Sequence, residues 1–150
     1  MADRLHLNLS SGGEVVIKLR PDLAPGHVQR ITELASSGFY DNVPFHRVIP
    51  GFMAQGGDPD GNGQGGSKLP DLKAEFTALP FIRGMFGAAR AGSVDSANSQ
   101  FFIMYNWTAD LDNKYTVIGR VVKGMDAVDK IAPGEPPADP TKIVKAHLGG

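Results

Sequence analysis

Residues 43 to 58 read VPFHRVIPGFMAQGGD and set His46, Arg47 and Gln55 among Phe45, Phe52 and Met53, with no Ser, Cys or Glu beside them. Hydrolysis or acyl transfer needs an activated nucleophile, and the chain has no Gly-x-Ser-x-Gly elbow. A guanidinium donates hydrogen bonds but does not give up its proton. On a strand, Arg47 is either a solvated face residue or a charge set in an apolar groove, and composition leaves both open. The nearby Phe52, Met53 and Gln55, with Gln100-Phe101-Phe102 farther on, make the groove plausible. His46 has the chemistry of a general base; the favoured reading is a partly buried strand residue satisfied by a backbone carbonyl. Asp58, Asp95, Asp110 and Asp112 stand in polar stretches and read as turn formers.

The Gly-rich stretch 56 to 73 carries two patterns that fail on context. Gly61-Asn62-Gly63-Gln64-Gly65-Gly66 has dinucleotide spacing, but that motif needs a strand feeding a helix, and Pro70 follows with no helical pattern. Asp58, Asp60, Asn62 and Gly63 fit the first half of a calcium loop, yet the twelfth position is Leu69 instead of a bidentate Glu. His6, His27, His46 and His147 show no metal spacing. No cofactor and no metal are expected. A loop this long is more often functional than accidental.

Those residues must be held by short elements. Leu5, Leu7 and Leu9 alternate with polar residues, and Glu14 to Arg20 follows a Ser-Gly-Gly turn, which predicts a hairpin. Pro25 opens a helix carrying Val28, Ile31, Leu34 and Ala35, and Gly38 ends it. Strands are expected over 45–49, 52–55, 87–91, 100–104, 116–122 and 142–148, with a short helix around Met125, Val128 and Ile131. Residues 133 to 140 read as an extended linker. Gly (19) and Pro (11) are spread along the chain, as suits many short elements joined by turns. Roughly eight strands and two helices favour a barrel or sandwich.

With 150 residues, 41% apolar and 21% charged, the chain suits one soluble domain, residues 1–150. A formal net charge of −1 argues against nucleic acid as a partner. Cys is absent, so disulfides and thiolate metal sites are excluded. No apolar run reaches the roughly 20 residues of a membrane span, and the first nine residues lack a signal-peptide core. A cytoplasmic monomer is the default expectation.

FHRVIPGFMAQGGD (45–58) and SANSQFFI (96–103) are long motifs at a specific separation. In these, and in KYTVIGRV (114–121) and GMD (124–126), the chain resembles the cyclophilin family of peptidyl-prolyl cis-trans isomerases from about Leu5 to Ile131. The resemblance implies a mostly β fold: an eight-stranded closed antiparallel barrel capped by two α-helices, with the active groove outside. It implies rotation about X-Pro bonds in proline-containing peptides and in unfolded or folding proteins. A catalytically weak binding module is the alternative, and a small-ligand barrel with an open cavity a third. Arg47 matches the family's catalytic Arg, and Gln55 the residue that orients it. Phe52, Met53, Phe102 and Leu111 match the proline pocket. Ala89, Arg90, Ala91 and Gln100 match the groove for preceding residues. Arg90 stands where the family has Asn, and Tyr115 where many members have His. Asp110 replaces a Trp common in drug-sensitive members, so cyclosporin-type cyclic peptides are expected to bind weakly.

Overall fold

The computed structural model describes residues 3–149. Alternation shapes its first hairpin. Leu5, Leu7 and Leu9 of β1 (Arg4–Leu9) are buried, as are Val15, Ile17 and Leu19 of β2 (Glu14–Leu19). Then follow α1 (Pro25–Ser36), β3 (Val43–Ile49), β4 (Met53–Gly56), β5 (Met85–Ala88), β6 (Phe101–Met104), β7 (Val117–Lys123), α2 (Met125–Asp129) and β8 (Lys142–Gly149). The eight strands close a barrel in the order β1-β2-β7-β5-β6-β4-β3-β8, each pair antiparallel. Closure leaves no free edge.

The interior is solid. Leu5, Leu7, Ile17, Phe45, Phe86, Phe101, Ile103, Ile118 and Ile143 are at most 1% exposed and pack in one cluster. That packing removes the small-ligand reading, which needs an open lumen. Val28, Ile31, Leu34 and Ala35 of α1 join the cluster, as do Ala127 and Val128 of α2. Both helices thus cap the barrel with the apolar faces their spacing predicts.

Several strand boundaries shift by one to three residues, and two of the shifts shape the site. β5 begins at Met85, two residues before the expected strand, and ends at Ala88. Its register against β7 slips between Phe86 and Gly87. Beyond Ala88 the Ala89 N–H still reaches across, donating to Gln100 O at 3.0 Å. Residues 89 to 91 thereby become a groove wall. Phe52 lies in the turn before β4, its N–H bonded to Ile49 O.

The long connection between β4 and β5 is tied down at several points. Arg30 of α1 donates to Pro70 O at 2.5 Å, and Asn98 accepts from Ser67 N–H at 2.9 Å and donates to Leu69 O at 2.9 Å. Glu75 accepts from the Gly26 and His27 N–H groups at 3.3 and 2.9 Å and contacts His27 Nδ1 at 2.6 Å. The N-cap of α1 is Ala24, which makes no side-chain cap. A carboxylate 48 residues downstream therefore serves the orphan N–H groups and the positive end of the helix dipole. Glu75→Ala is expected to reduce stability by about 1–2 kcal/mol. The urea midpoint should fall at constant m; an unchanged midpoint would show that this contact stabilises nothing.

Candidate active groove

A bulge aims Arg47. In β3, Phe45 points into the barrel, and strict alternation would send Arg47 inward too. The register against β4 instead runs Phe45↔Gly56, then Arg47↔Gln55, with one extra residue on β3. The irregularity, spanning His46, turns Arg47 to the outer face. From there the pairing continues sideways as Gln55↔Phe102 and Phe102↔Gly87, forming one row across β3, β4, β6 and β5. Gly87 is required in this row, because a Cβ there would come within 2.7 Å of Phe102 Cζ. Its absence lets the Phe102 ring lie down as a floor.

β6 serves both faces. Phe101 and Ile103 belong to the barrel core, whereas Phe102 and Met104 join an outer cluster with Met53, Phe81, Met85, Ala89 and Val117. Phe52, Leu111 and Tyr115 pack onto this outer cluster while staying partly exposed. A pocket of about 110 Å³ is lined by Arg47, Phe52, Met53, Gln55, Ala89, Arg90, Phe102, Leu111 and Tyr115. An adjoining cavity of about 370 Å³ shares Gln55, Ala89 and Arg90 and adds Ala91 and Gln100. Every site residue expected from the sequence thus lines one of two connected hollows.

The polar wiring differs from expectation at Arg47. Its Nε donates to Glu135 Oε1 at 3.1 Å, while Gln55 Nε2 donates to Gln100 Oε1 at 3.0 Å. Gln100 in turn donates to the carbonyls of Gly63 and Gly65. Gln55 is therefore held toward the second cavity, and Glu135 is the residue that fixes Arg47. Spacing carries no signal for this pair, which lies 88 residues apart in a stretch read as linker. The linker reading gives way to a pinned segment: Gly134 and Val48 exchange backbone hydrogen bonds of 2.8 and 2.9 Å, setting Glu135 beside β3.

Arg90 folds over Tyr115, with its guanidinium carbon 4.5 Å from the ring centroid, and donates to Lys114 O at 3.0 Å. Tyr115 stands edge-on to Phe102 at 5.8 Å. Together they build one rigid pocket wall. Trp107 lies outside that wall. It is 55% exposed, and its indole N–H donates to Asp112 Oδ2 at 2.9 Å.

His46 is buried, but neither ring nitrogen has a hydrogen-bond partner among the described residues, so the expected carbonyl contact is not made. Burial lowers its pKa, and the Arg47 charge adds to this against an opposing pull from Asp58. The ring is therefore neutral at and above neutral pH. Asp58 serves the loop: it accepts from the N–H groups of Asp60, Asn62 and Gly63. Burial raises its pKa, but these donors and Gly65 N–H outweigh burial and hold the carboxyl below the usual range. With His46 neutral and Arg47 permanently charged, turnover should be nearly flat from about pH 6 to about 9. An acidic limb displaced below the ordinary imidazole value of about 6.5, the direction in which burial shifts His46, would make His46 a proton-transfer group.

A model of the cyclophilin type peptidyl-prolyl cis-trans isomerase family matches residues 4–148. The chain belongs to this family. It is 52% identical to a probable peptidyl-prolyl cis-trans isomerase of Brucella suis over 152 residues, covering 91% of this chain and 78% of that one. It is 39% identical to peptidyl-prolyl cis-trans isomerase B of Bacillus subtilis, covering 85% and 89% of the two chains. A cyclophilin-type isomerase of Cryptosporidium parvum, solved in the presence of the dipeptide Ala-Pro, superposes with a TM-score of 0.90 at 26% identity, covering 98% and 99%. The barrel and its helices are thus the cyclophilin fold, and the activity of the family is isomerisation of peptidyl-prolyl bonds. Among the described residues, no helix is long and apolar enough to cross a membrane.

Proposed function

We propose that Arg47 is the catalytic residue of this cyclophilin, acting on X-Pro bonds of unfolded and folding proteins held in the outer groove. The observation that carries the reading is the placement of a permanently charged donor on the rim of a small pocket lined by Phe52, Met53, Phe102 and Leu111. Rotation about the peptide bond breaks no covalent bond, and its barrier of about 18–20 kcal/mol is largely lost amide resonance. In the twisted transition state the prolyl nitrogen regains a lone pair. A donor aimed there binds the twisted form better than either planar isomer, and that difference is the catalysis.

The proline ring sits on Phe102 and Met53 between Phe52, Leu111 and Tyr115. Arg47 then faces the ring nitrogen, and Gln55 donates to a substrate carbonyl. Ala89, Arg90, Ala91 and Gln100 receive the residues before proline, largely through backbone contacts at 89–91. Glu135 keeps the guanidinium over the pocket before substrate arrives, which limits the ordering cost on binding. The Ala-Pro dipeptide with the Cryptosporidium parvum relative supports proline-containing peptides as ligands here. In this reading the chain works as a single-domain monomer in the cytoplasm, without cofactor or nucleic acid, and binds cyclosporin-type cyclic peptides weakly. A protease-coupled assay on a cis-Pro peptide tests it. Binding of such peptides without accelerated isomerisation would reduce the protein to a binding module.

A further inference from the structure

Two histidines that lie at opposite ends of the chain meet across the barrel's closing seam. His6 of β1 pairs directly with His147 of β8. Their rings stack with centroids 4.8 Å apart and planes 12° from parallel. Glu14 of β2 reaches the same spot, with Oε1 3.4 Å from His6 Nδ1. Among the described residues this is the one place where three such side chains converge, with one donor atom from each within 4.8 Å of the others. Alternation explains the shared face: Leu5, Leu7, Val15 and Ala146 point inward, so His6, Glu14 and His147 point out. Gly149 leaves room for the His6 ring, since a Cβ there would approach Nε2 to 2.7 Å.

We propose that His6, Glu14 and His147 bind one late first-row divalent cation, Zn²⁺ in the first place. Two imidazoles and a carboxylate suit Zn²⁺, Ni²⁺ or Cu²⁺, while Mg²⁺ and Ca²⁺ prefer oxygen donors. Zinc bonds of about 2.0–2.1 Å place tetrahedral donors about 3.3 Å apart. The His6–Glu14 separation is already close to that; the near-parallel rings must also turn out of their stack so that a lone pair from each meets at one ion, which these partly exposed side chains allow. Water completes the coordination. The bound ion clasps the β1–β2 hairpin to β8. The site lies four strands from β6 in either direction round the barrel, and so opposite the proline groove. Binding should therefore stabilise the fold without changing isomerase activity.

The test is calorimetric titration of the chelator-stripped full chain with Zn²⁺, alongside thermal unfolding. Saturable binding of one Zn²⁺ per chain is expected, with a rise in Tm that Mg²⁺ does not produce. His6→Ala and His147→Ala should each weaken binding about tenfold or more. Glu14→Gln, at an exposed position that leaves the core intact, should weaken it in the same direction. Acidification should release the ion, because imidazoles ligate only when neutral. Turnover on a cis-Pro peptide should be the same with and without Zn²⁺. Absence of saturable binding would overturn the proposal. So would wild-type affinity in the His6→Ala/His147→Ala double variant, which would move the ion elsewhere, or one Zn²⁺ per two chains with a doubled mass.

Discussion

Arg47→Ala should lose most isomerase activity and keep its fold. Arg47 lies on the solvent side of β3, 46% exposed, so its removal leaves no cavity and no buried orphan. Its side-chain partner Glu135 is 57% exposed and is freely hydrated once released. The lost charge-assisted hydrogen bond to the prolyl nitrogen is worth about 1.5–3 kcal/mol in the transition state. That corresponds to roughly a tenfold to hundredfold drop in kcat/KM. Arg47→Lys should fall nearly as far, because an ammonium does not reproduce the planar fork that Glu135 grips by Nε. Glu135→Gln should cost much less, about 1 kcal/mol or below, as an exposed ion pair implies. The coupled assay on a cis-Pro peptide gives the rates, and far-UV circular dichroism checks the fold. Retention of more than half of wild-type turnover in Arg47→Ala would refute the mechanism.

Cyclosporin inhibition should be weak, and Asp110→Trp should strengthen it. The resemblance read from the sequence implies that most drug-sensitive members carry a Trp directly before the Leu matching Leu111. Here Asp110 occupies that place in an exposed turn of 3-10 helix, Ala109–Leu111. It offers neither aromatic area nor an N–H donor, and covering its carboxylate with an apolar ligand is unfavourable. The missing aromatic contact and hydrogen bond amount to about 2–4 kcal/mol, or roughly thirtyfold to nearly a thousandfold in affinity. Trp107 does not replace the lost ring. Its N–H is engaged by Asp112, which also accepts from Phe81 N–H at 2.7 Å, so bringing the indole to the pocket would break that anchor. Inhibition curves for the wild type, Asp110→Trp and Trp107→Ala decide the matter. Trp107→Ala should leave inhibition unchanged. Nanomolar inhibition of the wild type that vanishes in Trp107→Ala would show that Trp107 supplies the drug contact after all.

Local order in the sequence reaches far into this molecule. Alternating Leu5, Leu7 and Leu9, the Pro25-to-Gly38 helix and the hydrophobic spacing of 125–131 each follow from period and capping. These signals are local, so one chain suffices to read them. The groove residues are legible for another reason: they cluster in two continuous runs, 45–58 and 96–103, whose residue types resemble a known family. Barrel closure does not follow from either signal, because the β1–β8 pairing joins the two ends of the chain.

What tertiary structure alone decides lies in such long-range meetings. Alternation from Phe45 would bury Arg47 inside the barrel, and only the β3–β4 register reveals the bulge that turns it out. Glu135 reads as part of a linker until the Gly134–Val48 bridge sets it against Arg47. Glu75 caps a helix 48 residues upstream of itself. His6 and His147 show no metal spacing along the chain, yet the closing pair of strands stacks their rings. In each case the energy comes from a contact whose partners have no sequence relation. Side-chain direction on a strand, and the neighbour it meets, are set by pairing register, which a single chain does not encode locally.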